Sequence, residues 1–392
     1  MSVDVQRLGT REQTRLDARG IQGRLDAVIE EALEAQRIVG TVVVVLEHGR
    51  PLYVHAAGWA DRESRVPMRE DTVFRLASVT KPIVSVAALR LVEQGKLSLD
   101  AEVARYLPQF RPRLADGSAP AVSVRQLLTH TAGLSYGHFQ AAGGSYLRAQ
   151  VSDGLDQPGL GMEEELRRIS QAGLDHAPGT HWGYSVAIDV LGAVIERVSG
   201  QGLAGAVRAL VTGPLGMLDT GFEVPAAGLA VPYADGAPPV RIEGRQVLPF
   251  MGLSGISVSP LRAFDDHSFA SGGAGMNGTA RDVARMLEAV RAGGGGVLSA
   301  ATARTMLENQ VGDLPVVFGP GWGFGYGGAV LVDPSLAGTP QSAGTWSWGG
   351  VWGHSWFVDP LRALVVVGLT NTAIEGMMGQ FPQRVRDALY VA

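Results

Sequence analysis

The chain has 392 residues, 46% of them hydrophobic, a formal net charge of -5 and no cysteine. That length and apolar share can bury a large core, as one big domain with an insertion or as two domains. The lack of cysteine excludes disulfides, thiol catalysis and cysteine-ligated zinc or iron–sulfur sites, and mild acidity without a basic stripe argues against a nucleic-acid partner.

Residues 1–20 are charged throughout and hold no apolar core, so no secretory signal is read there and a cytoplasmic location is the expectation. The longest apolar runs, 41–46 and 364–369, are too short to span a bilayer. Leu16, Ile21, Leu25, Val28, Ile29 and Leu33 recur near helical spacing, which predicts an amphipathic helix over roughly 13–36. Two strand-like runs follow at 40–47 and 51–58, with His48-Gly49-Arg50 as the turn of a hairpin.

A polar loop then leads to Phe74-Arg75-Leu76-Ala77-Ser78-Val79-Thr80-Lys81-Pro82 and an apolar helical run over 83–91. Residues three apart share a helix face, so Ser78 and Lys81 can point the same way. The first turn of a helix has unpaired N–H groups and a dipole that favours negative charge, which suits a hydroxyl that must become an alkoxide. The lysine is the informative residue. Of 33 Lys and Arg, only Lys81 and Lys96 are lysines. Arginine keeps its proton in a protein, whereas an amine gives it up when desolvated. Spacing alone is equally served by a capping serine and a snorkelling lysine.

From 100 to 250 the texture changes to Pro, Gly and short helices, read at 124–129, 162–172 and 185–199. The Gly- and Pro-rich stretch 225–270 is too long for a plain connector and reads as a lid or pocket wall. Thr279 then opens a helix to about Arg291, strands follow near 323–332, 343–351, 353–359 and 363–370, and 380–390 closes the chain as a helix. Strand pairs at both ends predict an α+β fold. One antiparallel sheet flanked by helices would be built from 1–99 and 251–392, with 100–250 as a mostly helical inserted domain.

A serine nucleophile needs a base, a partner to share its proton and donors for an oxyanion. A tyrosine hydroxyl can pass protons to and from an amine. Among eight tyrosines, Tyr184 stands in Ala177-Pro178-Gly179-Thr180-His181-Trp182-Gly183-Tyr184-Ser185, just before a helix, where an aromatic also serves as simple packing. That stretch resembles the P-G-x-x-W-x-Y-S segment of serine β-lactamase-like hydrolases. With Ser78-Val79-Thr80-Lys81 it is similar to the class C β-lactamase and penicillin-binding-protein superfamily, whose S-x-x-K signature carries the nucleophile. Gln126-Leu127-Leu128-Thr129-His130-Thr131-Ala132-Gly133-Leu134 resembles the family's L-L-x-H-T-S-G-L. Trp348-Gly349-Gly350-Val351, Gly353-His354, Asp359-Pro360 and Leu369-Thr370-Asn371 resemble its C-terminal strands, so the likeness covers the chain from about residue 20.

The resemblance implies that Ser78 is acylated, that Lys81 and Tyr184 form the base pair, and that the N–H groups of Ser78 and Val351 hold the oxyanion. It implies no cofactor and no metal. Two departures bear on the substrate. The family's Y-x-N reads Tyr184-Ser185-Val186, and its K-T-G reads Trp348-Gly349-Gly350, so an amide and a cation are missing. A Trp348 wall favours uncharged, apolar substrates. The pattern is most similar to the family VIII carboxylesterases, which cleave short-chain esters and in some cases deacetylate cephalosporin side chains. Trp348, Gly349, Gly350 and Tyr136 are the expected substrate-binding residues, and a small-molecule ester the expected partner. A β-lactamase, a D-Ala-D-Ala carboxypeptidase and a non-catalytic penicillin-binding-like protein stay open as alternatives.

Other signals carry less. Gly133-Leu134-Ser135-Tyr136-Gly137 fits G-x-S-x-G, but a nucleophile elbow requires a strand before the serine and a helix after it. His176 and His181 flank a Pro-Gly turn without an evident third ligand. His354 reads as turn or packing, Asp265-Asp266 as solvated loop, and Gly272-Gly273-Ala274-Gly275 lacks the strand and helix frame of a phosphate loop.

Overall fold

The run Thr41 to Leu46 offers neither face of a strand a polar side, and such a strand has to be covered on both faces. The computed structural model, which describes residues 17–223 and 228–391, gives it that cover. Among the described residues one antiparallel sheet runs in the order Trp322–Phe324, Ala329–Leu331, Trp346–Gly350, His354–Asp359, Leu364–Thr370, Gly40–Glu47, Arg50–Asp61 and Val66–Pro67. Strands from the two ends of the chain thus meet in its middle, with Thr41 opposite Thr370 and Glu47 opposite Leu364. The mixed α/β architecture with a large antiparallel sheet is the one the residue pattern predicts.

Alternation along the strands sorts the side chains between two faces. Val43, Val45, Leu364 and Val366 join Ile21, Leu25, Ile29, Phe381 and Leu389 from the helices Ala18–Glu34 and Gln380–Tyr390. Val42, Val44, Val365 and Val367 face the other way. They join a larger cluster with the helices Thr80–Glu93, Ala187–Ser199 and Ala280–Arg291. The sheet is therefore the middle of three layers. Each fully buried Val or Leu contributes about 1.5–3 kcal/mol, which makes a polar residue at Val43 or Val44 costly.

Residues 100–250 hold the helices Val124–Leu128, Ser145–Arg148, Met162–Ala172, Ala187–Ser199 and Leu203–Val207. Short strand pairs, Tyr233–Ala234 with Val240–Arg241 and Gln246–Leu248 with Ile256–Val258, follow. Of the 225–270 stretch, residues 225–227 lie outside the described residues, as do residues 13–16 of the expected first helix.

Four local expectations need correction. The hairpin turn is His48-Gly49 alone, both with positive φ, and Arg50 already belongs to the strand. The strand expected over 323–332 is two strands folded back at Tyr326-Gly327-Gly328. Gly327 has φ +86, and a Cβ there would meet Pro82 Cα at 2.8 Å. Ser78 lies not in the first α-helical turn but in a 3-10 turn, Ala77–Val79, just before it. Val351 lies just past the strand Trp346–Gly350 rather than on it. No helix among the described residues is long and apolar enough to cross a membrane.

Candidate active site

The turn that carries Ser78 is forced into shape from both sides. Ala77 has φ +45, a left-handed conformation that costs a non-glycine residue of order 1 kcal/mol and survives only where packing dictates it. The packing comes from the short pair Phe74–Arg75 with Asn277–Gly278, from the Leu76 N–H on the Met276 carbonyl, and from the strand end at Gly350. A Cβ on Gly350 would lie 2.5 Å from the Leu76 carbonyl oxygen, so a glycine is needed for this approach. His354 adds a pin: its Nε2 donates to the Arg75 carbonyl at 2.6 Å, and burial pushes its pKa down to about 4.

Second in the helix Thr80–Glu93 and three residues after Ser78, Lys81 is 1% exposed. Its Nζ donates to Ser78 Oγ at 3.1 Å and to the Gly273 carbonyl at 2.8 Å, and sits 4.6 Å from the centre of the Tyr184 ring. The Tyr184 hydroxyl donates to Ser78 Oγ at 2.7 Å and accepts from Trp348 Nε1 at 3.2 Å. An amine three residues on and a phenol 106 residues on thus converge within hydrogen-bond reach of the Ser78 oxygen. Among the described residues neither the Ser78 nor the Val351 N–H donates to a protein acceptor. Both residues line a cavity of about 460 Å³, together with Tyr136, Trp348 and Gly349. Gly350 does not line it and serves the close approach to Leu76 instead. From the 228–270 stretch, Phe250, Met251 and Ile256 wall the cavity.

Three groups that hold this arrangement escaped the sequence reading. His130 brackets Tyr184: its carbonyl accepts the Gly183 N–H at 2.9 Å and its Nδ1 accepts the Ser185 N–H at 3.2 Å. Burial, aided by the Lys81 amine, holds the imidazole well below its usual pKa, so it is the neutral acceptor this contact needs. Gly273, set aside above as a poor phosphate loop, supplies the carbonyl that anchors Lys81. Asp189, on the helix Ala187–Ser199, accepts from the Gly273 N–H at 3.1 Å and the Ser271 hydroxyl at 2.6 Å. Burial raises the pKa of that carboxyl, against the pull of Ser271 and Lys81. The motif L-L-T-H-T was the one signal for His130; a backbone carbonyl such as that of Gly273 leaves none.

Ser135 does not line this cavity, and among the described residues its Oγ bonds to the Tyr136 carbonyl alone, at 3.4 Å. His176 and His181 stack 4.4 Å apart, with no metal-binding cluster of acids and imidazoles among the described residues.

Comparison with known proteins gives this geometry a family. The sequence profile of the Beta-lactamase family matches residues 25–389, and the chain belongs to that family. It is 54% identical to "Esterase EstB" of Burkholderia gladioli over 96% of both chains. It is 28% identical to the "Lovastatin esterase" of Penicillium rubens, over 93% of this chain and 98% of that one. Among solved structures it superposes with a TM-score of 0.93 on "EstCE1, a hydrolase with promiscuous acyltransferase activity", at 47% identity over 95% of this chain and 99% of the other.

Proposed function

We propose that this member of the Beta-lactamase family is a serine carboxylesterase that hydrolyses short-chain carboxylic esters through an acyl-enzyme on Ser78. The observation that carries the reading is the convergence of the Tyr184 hydroxyl and the Lys81 amine on Ser78 Oγ, at 2.7 and 3.1 Å. The identity to EstB across nearly the whole chain supports ester hydrolysis as the reaction.

In this reading the Ser78 proton passes to the Tyr184–Lys81 pair as Oγ attacks the ester carbonyl. The N–H groups of Ser78 and Val351 receive the oxyanion, a stabilisation of around 3 kcal/mol for each well-aimed donor. The alcohol departs with a proton from Tyr184, and water repeats the cycle on the acyl group. Trp348 Nε1 keeps the phenol oxygen turned toward Ser78. Taken as an α/β unit of 1–99 and 251–392 with an insertion of 100–250, the chain forms its site at the join. Ser78, Lys81 and Val351 come from the first and Tyr184 from the second. A small ester is the one partner the reading requires.

The substrate follows from what lines the cavity. An indole stands where the family resemblance would put a cation, and Arg386, which also lines the cavity, is paired with Asp387 at 2.6 Å. Among the described lining residues Arg386 is the one Lys or Arg, and its charge is already shared with Asp387. The test is kcat/KM for nitrophenyl acetate against ring opening of nitrocefin, with acetate release from an acetoxymethyl cephalosporin alongside and Ser78→Ala as control. The ester and acetate reactions are expected to lead by about a hundredfold or more, the scale of two lost polar contacts of 1.5–3 kcal/mol each. Faster ring opening would overturn the substrate reading. Acyl transfer to an alcohol instead of water is a second reading, favoured by the aromatic cavity wall and by the transferase activity in the description of EstCE1.

A further inference from the structure

The cavity that holds Ser78 contains a polar pair that the mechanism above leaves unused. His138 and Asp153 both line it, with Nδ1 2.7 Å from Oδ2 and side chains 7% and 10% exposed. His138 stands in the 3-10 turn Gly137–Phe139 and stacks on Tyr136, with ring centres 5.0 Å apart and planes at 21°. The rings of Phe139 and Phe250 lie 4.5 and 5.8 Å from it. The imidazole thus sits in an aromatic collar. It is two rings from the reacting oxygen, since Tyr136 lies 5.2 Å from Tyr184 and the Tyr184 hydroxyl meets Ser78.

The pair is read with the proton on Nδ1, since an ionised carboxylate only accepts and an imidazole N–H donates. Asp153 Oδ1 is sealed from solvent and finds no donor among the described residues, which leaves the imidazole N–H as the carboxylate's support. In its neutral form, an imidazole that donates from Nδ1 carries its lone pair on Nε2, and that form is the one the subsite uses. Among the described residues Nε2 meets no hydrogen-bond partner, and it is not among the atoms closed off from solvent.

We propose that His138, oriented by Asp153, is a hydrogen-bond-accepting subsite of the substrate cavity, and that the enzyme prefers esters carrying a hydroxyl or N–H group that reaches Nε2 while the ester carbon lies at Ser78. The proposal rests on the carboxylesterase reading of Ser78. An ester with such a donor satisfies Nε2. An ester without one leaves it unpaired, or leaves a water held against aromatic faces. Discrimination against ligands that leave a site's polar atom unpaired is stronger than discrimination by apolar fit.

The test uses two pairs of esters matched in chain length. One pair differs by a terminal hydroxyl on the acyl chain, the other by a terminal hydroxyl on the alcohol. Their kcat/KM values are compared in the wild type, His138→Phe and His138→Gln. In one of the pairs the wild type is expected to favour the hydroxylated ester by about tenfold or more. His138→Phe should bring that ratio to about one. His138→Gln, whose amide oxygen can accept, should keep part of it. A wild-type ratio near one in both pairs overturns the proposal even where the phenylalanine variant fails to fold, and so does a preference that survives in His138→Phe. A wild type that turns over no ester in a Ser78-dependent way would instead strike at the carboxylesterase reading.

Discussion

Ser78 and Ser135 make an instructive pair. Each sits in a short signature associated with serine hydrolases, and each has a neighbour, Val79 or Leu134, in the same apolar cluster. Ser78 follows a residue with φ +45, opens to the cavity and is met by both a phenol and an amine. Ser135 follows Gly133 with φ +82 and Leu134, does not line that cavity, and bonds at 3.4 Å to the carbonyl of its own neighbour. The short pattern does not make a nucleophile. What sets Ser78 apart is the pair of groups on its oxygen, Lys81 from within the same signature and Tyr184 from 106 residues on.

Substitution should separate the two serines first. Ser78→Ala should cost about 10⁴-fold or more in kcat, as removal of a nucleophile from an interdependent set does. Ser135→Ala should stay within about fivefold, the scale of one neutral hydrogen bond. Ester hydrolysis at saturating substrate checks both, and comparable losses would erase the contrast. Next in size is Lys81→Arg, which keeps a cation beside Ser78 but withdraws a group able to take a proton. It should lower kcat by about 10³-fold, within the range for general base catalysis. Near-normal turnover in that variant would rule out the assigned base.

The pin behind the Ser78 turn gives a stability test. His354 has a folded pKa of about 4 and an unfolded one near 6.5, so its support is fully present above about pH 6.5 and is lost as pH falls toward 4. The loss amounts to about 3 kcal/mol for this one group. His354→Gln keeps an N–H for the Arg75 carbonyl and does not titrate. Denaturant unfolding of the two proteins from pH 7.5 to 4 should show the wild type falling away from the variant as acid is added, and parallel curves would contradict this. The smallest effect within the site is that of Trp348→Phe, which removes the indole N–H from the Tyr184 hydroxyl. It should reduce kcat/KM for nitrophenyl acetate by about five- to tenfold, the scale of one hydrogen bond of 1–1.4 kcal/mol.

Much of the fold was legible because its signals are local. The helices Met162–Ala172 and Ala280–Arg291 carry clear periodicity, and the hairpin after Gly40 has its turn residues in place. The break at Tyr326-Gly327-Gly328 was not legible, because two short strands with a glycine turn read as one run until the hairpin must clear Pro82. At the site, Ser78, Lys81 and Tyr184 stand in recognisable segments, and the structure brings them together. What orients them was hidden for a physical reason. The carbonyl of Gly273 is a group that every residue owns, and Asp189 occupies a helix position that spacing alone marks as ordinary. The service of His130 depends on its own φ of +56 as much as on its ring.

The contrast between the two serines can be put to one direct measurement. The protein is treated with a nitrophenyl phosphonate ester, digested and mapped by mass spectrometry. One phosphonyl group on Ser78 is the predicted result, with none in Lys81→Arg over the same interval. A phosphonyl group on Ser135, or an unmodified Ser78 while ester hydrolysis is blocked, would contradict the assignment of the nucleophile.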